Sequence, residues 1–202
     1  MMHPADRRRR RAGFTALEAT IAVVLMGIVV FNLTSLLSAT RQAYDAQEDV
    51  AALEVLATQT LDRIALSLVA ANASGIVPAN SAPLHSSEIT YEVSLGVQDG
   101  EVVWSDPERI EHDEPAERVL WTRQPDTEQS ATVVWGRNVA QWMEGETPNN
   151  LLDDNLNGLV DEFGLSFSIE GASCLIQLTL RRTGSGGKEI TTSVQTRVAF
   201  RN

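Results

Sequence analysis

From Ala19 to Thr40 the chain runs for 22 residues without a charge, through Ile21-Ala22-Val23-Val24-Leu25-Met26-Gly27-Ile28-Val29-Val30-Phe31. About 20 consecutive apolar residues are enough for a helix to cross a bilayer. Five arginines at residues 7–11 stand directly before the stretch. A cationic flank stays on the cytoplasmic side, so the expectation is a single-pass membrane protein whose chain beyond Arg41 lies outside the cytoplasm. A secretory signal peptide shares the basic start, but its apolar region spans roughly 7 to 15 residues and ends at a small-x-small site. Here the apolar run is longer, and a cut after Ala39 would put Leu37 where a small residue is required.

Beyond the arginines the charge reverses. The whole chain carries 16 basic and 27 acidic residues, a formal charge of -11. Without residues 1–13, which hold five Arg and Asp6, there remain 11 basic against 26 acidic residues, a formal charge of -15. Nucleic-acid affinity comes largely from Lys and Arg on phosphates, so no nucleic-acid partner is expected.

Glu18 is the odd residue, a carboxylate just inside the apolar stretch, where an unpaired charge at mid-bilayer costs roughly 2.5 to 3.5 kcal/mol. Its spacing from Thr15 fits a capping box, in which the two side chains satisfy amide donors at a helix start. That accounts for Thr15 and Glu18, but not for Gly13-Phe14 between the arginines and the cap. Taken together, the arginines, Gly13-Phe14-Thr15-Ala16-Leu17-Glu18 and the unbroken apolar run resemble the leader of type IV prepilins and pseudopilins. The resemblance implies that prepilin peptidase cuts after Gly13, that the new N-terminal Phe14 is N-methylated, and that Glu18 assists assembly. A buried carboxylate is tolerable when paired, so Glu18 of an incoming subunit would meet the Phe14 amine of a neighbour. Capping and pairing are compatible because a carboxylate has two acceptor oxygens.

The remaining pattern predicts an α+β fold: a long N-terminal helix, half membrane-spanning and half amphipathic, packed on an antiparallel β-sheet. Val50, Leu53, Ala57, Leu61, Ile64 and Leu68 recur at helical spacing, and no proline interrupts the chain from Thr15 to Ser74. Period-two alternation at Ile89, Tyr91, Val93 and Leu95 predicts a strand. Further strands are expected at 102–104, 118–122, 132–135, 165–169, 174–181 and 190–200, the last two joined as a hairpin across Thr183-Gly184-Ser185-Gly186-Gly187. The expected organisation is a cytoplasmic leader at 1–13, a transmembrane and assembly helix at 14–40, an amphipathic helix at 41–74 and an extracytoplasmic β-rich domain at 75–202. Leu61-Asp62-Arg63-Ile64, the 118–123 strand and the closing Arg197-Val198-Ala199-Phe200-Arg201-Asn202 look like minor pilins of the W type and pseudopilin J, which implies a low-abundance subunit. The partners implied are prepilin peptidase, other pilin or pseudopilin subunits and the inner-membrane assembly machinery. The implied location is the inner membrane before assembly and a filament after it. The alternative is a bitopic receptor or binding protein, merely anchored by the same helix.

Residues 153–162 read Asp-Asp-Asn-Leu-Asn-Gly-Leu-Val-Asp-Glu, with oxygen-bearing residues at alternate positions around a glycine. Calcium takes six to eight oxygens, and an EF-hand-type loop supplies them in this way. The expected ligands are Asp153, Asn155, Asn157, the Leu159 carbonyl and Asp161. Position 12 would be Gly164 rather than glutamate, so Glu162 is expected to close the site. The same residues also suit a plain Asn/Asp/Gly turn. A bound ion would secure a loop that many pilins hold with a disulfide, which Cys174, the single cysteine, cannot form alone.

Cys174 is itself expected as a small hydrophobe in a strand. The histidines His3, His85 and His112 lie apart, with His112 expected on a solvated acidic surface, and the four tryptophans are expected as core or rim. No phosphate-binding loop or nucleophile motif is present, and no catalysis is expected.

Overall fold

The computed structural model of the chain describes residues 15–200. It contains one long N-terminal helix and a C-terminal set of antiparallel strands, an α+β arrangement, and it divides into two compact units, Met1–Tyr44 and Asp45–Asn202.

Helix α1 is Ala16–Val69. Every residue from Thr15 to Glu48 is exposed, including the whole apolar run, and the helix is long and apolar enough to cross a membrane. Apolar side chains left in contact with the surroundings over such a length fit a lipid or protein environment better than water. Further along, Leu53, Ala57, Leu61, Ile64 and Leu68 are buried, as their spacing predicts. The helix stops at Val69, short of Ser74, because the backbone changes partner. Ala71 N–H still donates to Leu68, whereas Asn72 N–H donates to the Glu92 carbonyl at 2.9 Å, and Ala71 bridges Val93.

The strands are β1 (Glu88–Tyr91), β2 (Ser94–Gln98), β3 (Glu101–Trp104), β4 (Glu108–Asp113), β5 (Arg118–Arg123), β6 (Ala131–Arg137), β7 (Leu165–Glu170), β8 (Ser173–Thr183) and β9 (Glu189–Ala199). One sheet has the order β1-β4-β5-β6, another β7-β8-β9, and β2-β3 is a separate ribbon. Two short junctions knit the larger sheets. Ser86 and Phe167 exchange hydrogen bonds of 3.0 and 2.8 Å, and Val139 bridges Leu180. The buried helix face packs with Ile89, Tyr91, Ile110, Val119, Phe167 and alternate residues of β8 into one core.

Cys174, Ile176, Leu178 and Leu180 are all fully buried, and burial pushes the Cys174 thiol up to about 12, which makes it an inert core residue. Trp121 stacks on Trp135 with ring centroids 5.6 Å apart, and both pack against the core from its edge. Tyr91 donates to Glu108 Oε2 at 2.9 Å and Trp121 Nε1 donates to the same oxygen at 3.0 Å, so the one carboxylate satisfies the donors of a fully buried and a partly buried ring.

Two further expectations are corrected. The strand expected from Ile89 to Leu95 breaks after Tyr91. Ile89 and Tyr91 face the core, but Leu95 is 67% exposed on the ribbon, because Val93 is drawn to Ala71 and the register slips between Ser94 and Gly96. His112 is not on a solvated surface: it lies in β4 opposite Val119, only 9% exposed, and neither ring nitrogen has a partner. Burial drives its pKa down to about 4, against a smaller opposing pull from Asp113.

At the helix side of the β-rich unit, Asp49 takes Arg182 Nη2 at 2.6 Å and the Ser185 N–H at 2.6 Å. The Ser185 bond first, and Arg182 after it, hold the Asp49 carboxyl below its ordinary range. Asp49 is the first residue of α1 that is not exposed.

Candidate functional site

Residues 141–164 follow the Val139 bridge to β8 and return to β7 as a closed loop. Its two ends are fastened together: Met143 N–H donates to Glu162 O at 2.9 Å, Gly164 N–H to Gln141 O at 3.0 Å, and Trp142 bridges and stacks on Phe163 at 4.9 Å. From outside the loop, His85 Nε2–H reaches the carbonyls of Val160 (3.1 Å) and Asp161 (3.2 Å). Compact loops closed in this way are held by their own side chains.

Inside, the acidic and amide side chains do most of the fastening. Asp153 accepts from Asn157 N–H (3.0 Å) and Gly158 N–H (2.8 Å), and Asn155 Oδ1 accepts from the same Asn157 N–H at 3.0 Å. Asn157 Oδ1 takes the Leu159 N–H at 2.9 Å, while its Nδ2 donates to Glu162 Oε1. Gly158 has a φ of 94°, a left-handed conformation that a side chain would strain. Asp161 turns the other way, its two oxygens accepting from Asn150 N–H (3.0 Å) and Leu151 N–H (2.9 Å). Asp154 accepts from Thr147 N–H (3.1 Å) and Asn150 Nδ2 (2.6 Å). These two bonds, Thr147 first, hold its carboxyl below the usual range.

Of the ligands expected from sequence, Asp153 and Asn155 therefore converge on the Asn157 N–H, and Glu162 joins them through Asn157 Nδ2. Leu159 is buried beside them. Asp161 braces the neighbouring turn. Glu146 and His85 were not expected. Glu146 Oε1 accepts from Asn155 N–H at 3.2 Å, and its carboxyl adjoins that of Glu162. Burial, and after it the charge of Glu162, pushes the Glu146 carboxyl up, against the Asn155 N–H that favours its charged form. The available signal for Glu146 is charge: residues 141–164 hold six carboxylates and no Lys or Arg. Among the described residues no three His, Cys, Asp or Glu side chains group as a metal ion would need. Any cation here would thus use two carboxylates together with amide or backbone oxygens.

At the other end of the chain, Gly13 and Phe14 lie outside the described residues. Glu18 forms the expected capping box: Thr15 N–H and Thr15 Oγ1 donate to Glu18 Oε2 at 2.9 and 3.0 Å, and Glu18 N–H donates to Thr15 Oγ1 at 3.3 Å. Both bonds accepted by Glu18 end on Oε2, so Oε1 remains for a second donor. No family model matches the chain, and neither a curated protein nor a solved structure does.

Proposed function

We propose that this chain is a structural subunit, of the minor class, of a type IV pilus or type II secretion pseudopilus. A prepilin peptidase cleaves it after Gly13, the inner membrane stores it through residues 14–40, and the assembly machinery docks its helix against those of other subunits. No catalysis by the chain itself is involved. The observation that carries the proposal is Glu18, capped at the head of a helix whose apolar length is wholly exposed and which directly follows the arginine and Gly13-Phe14 leader. A helix exposed along this whole length suits packing among identical or related helices, and the free Glu18 Oε1 suits a neighbour's Phe14 amine. A long helix followed by an antiparallel β-rich unit is also the order of elements the leader implies.

Intact-mass analysis from cells with a functional prepilin peptidase should find the mature chain beginning at N-methylated Phe14. Retention of residues 1–13 would exclude the filament role and leave a bitopic receptor. In the same cells Glu18→Ala should insert normally, since removing a charge eases insertion, yet be depleted from sheared filaments. Assembly equal to the parent would reduce Glu18 to a helix cap.

A further inference from the structure

We propose that Glu146 and Glu162 hold a calcium ion inside the closed 141–164 loop, with Asn155 and backbone oxygens of the loop completing its shell. The site stands apart from the filament role and does not depend on it.

The first support is charge. The loop carries Glu144, Glu146, Asp153, Asp154, Asp161 and Glu162 with no basic residue, and among the described residues none of the six takes part in an ion pair. Surface carboxylates tolerate this, because water screens them. Glu162 has no such relief.

Glu162 is 0% exposed, and its Oε2 has no hydrogen-bond partner. Glu146 Oε2 is likewise shut off from solvent and unpartnered. The two carboxyl groups adjoin, and one oxygen of each is already fixed by an asparagine of the loop, Asn155 N–H for Glu146 and Asn157 Nδ2 for Glu162. The remaining oxygens are therefore held in place with nothing to meet. Two adjoining carboxylates whose free oxygens are shut off from solvent are unfavourable unless a cation or a shared proton lies between them.

Chemistry selects the cation. The surrounding donors are carboxylate and amide oxygens, a hard set that suits calcium rather than zinc or copper. Calcium also accepts the irregular, high coordination that a loop of Asp and Asn side chains can offer, whereas magnesium demands a tight octahedron. Asn155, whose N–H meets Glu146, presents its Oδ1 at Asn157, next to Glu162. Asp153 and Asp161 are already committed, Asp153 to the Asn157 and Gly158 N–H groups and Asp161 to those of Asn150 and Leu151, and they brace the loop.

The test uses the full chain in detergent micelles, stripped with chelator and titrated with calcium alone. Calorimetry should give one ion per chain, and the melting temperature should rise by about 5 to 10 °C at one hundred times Kd. Magnesium should not reproduce the rise. Glu146→Gln should melt in chelator at or above the parent, since one of two facing charges is gone, and should lose the calcium rise. A purely structural glutamate would not show these opposite effects. Absence of binding heat together with identical melting in calcium and chelator would overturn the proposal and leave a shared proton between the two glutamates. A full calcium response in Glu146→Gln would also overturn it; loss of that response in Asp153→Ala would then place the ion within residues 153–162 alone.

Discussion

Gly164→Ala is expected to destabilise the folded chain by about 3 kcal/mol or more, lowering its melting temperature by roughly 6 to 12 °C. A methyl group on Gly164 would lie 1.8 Å from the Ala140 carbonyl oxygen and 2.7 Å from its carbon. The obstacle is backbone, so no rotamer change relieves it. Nor can the strand slide away, because Gly164 N–H is bonded to Gln141 at 3.0 Å and its carbonyl to Thr179 N–H at 2.6 Å. Ala140 is fixed in turn by donating to Thr179 at 2.9 Å. Three segments thus cross at one point, where only a residue without Cβ fits. Gly186→Ala is the control, since nothing lies within 4 Å of a Cβ there; its stability should change by under about 0.5 kcal/mol. Unfolding curves that place the two variants together would refute the crossing as a packing constraint. The same crossing explains why position 12 of the Asp153 loop is glycine where an EF-hand has glutamate. Close backbone approach excludes a side chain there, and Glu162, two residues earlier, is the nearest carboxylate of the loop in sequence.

The second large effect is on pH. His112 has a folded pKa of about 4 against 6.5 for a free imidazole. Between these values the unfolded chain takes up a proton that the folded chain refuses, so stability falls as pH falls from about 6.5 to about 4, and this contribution is flat outside that window. The full loss is about 3 kcal/mol. Asp49, Asp154 and Glu170, whose carboxyls are held low by their partners, add their own losses at more acid pH. A difference measurement is therefore required. His112→Leu removes the titration, and denaturant unfolding of parent and variant across pH 7 to 4 should show the parent losing stability faster by this amount. Parallel curves would mean that His112 takes up its proton over the same range in the folded and unfolded chains, contrary to its burial and unpartnered nitrogens.

The sequence makes plain those parts of the fold in which burial follows a strict period. Leu53, Ala57, Leu61, Ile64 and Leu68 mark the packed helix face, and the alternation through Cys174, Ile176, Leu178 and Leu180 marks a central strand, because each element meets a continuous core. β4 escapes such reading. Its sequence Glu-Arg-Ile-Glu-His-Asp has one apolar residue, and its place between β1 and β5 comes from neighbours that bury Ile110 and His112 rather than from its own composition. The break after Tyr91 is equally illegible, since it depends on Val93 meeting Ala71 at the end of the helix. In the candidate site the Asp and Asn turn residues announce themselves through local spacing. Glu146 becomes visible only when the loop closes, and His85 reaches Val160 from 75 residues away, a contact no short-range pattern encodes.

The Asp49 clamp bears on how the chain would respond to pulling. Tension entering α1 from its N-terminal end travels through residues 15–48, which are all exposed, before it reaches Asp49 and, through Arg182 and Ser185, the β8–β9 hairpin. In the helix the load passes from turn to turn, so the turns are stretched in series and yield one after another. The hairpin instead spreads it over a ladder running from Ser173↔Ala199 to Thr183↔Glu189, whose bonds share it. Extension would therefore come from unwinding helix above Asp49 while the β-rich unit keeps its shape, which makes the exposed half of α1 the elastic part of the molecule.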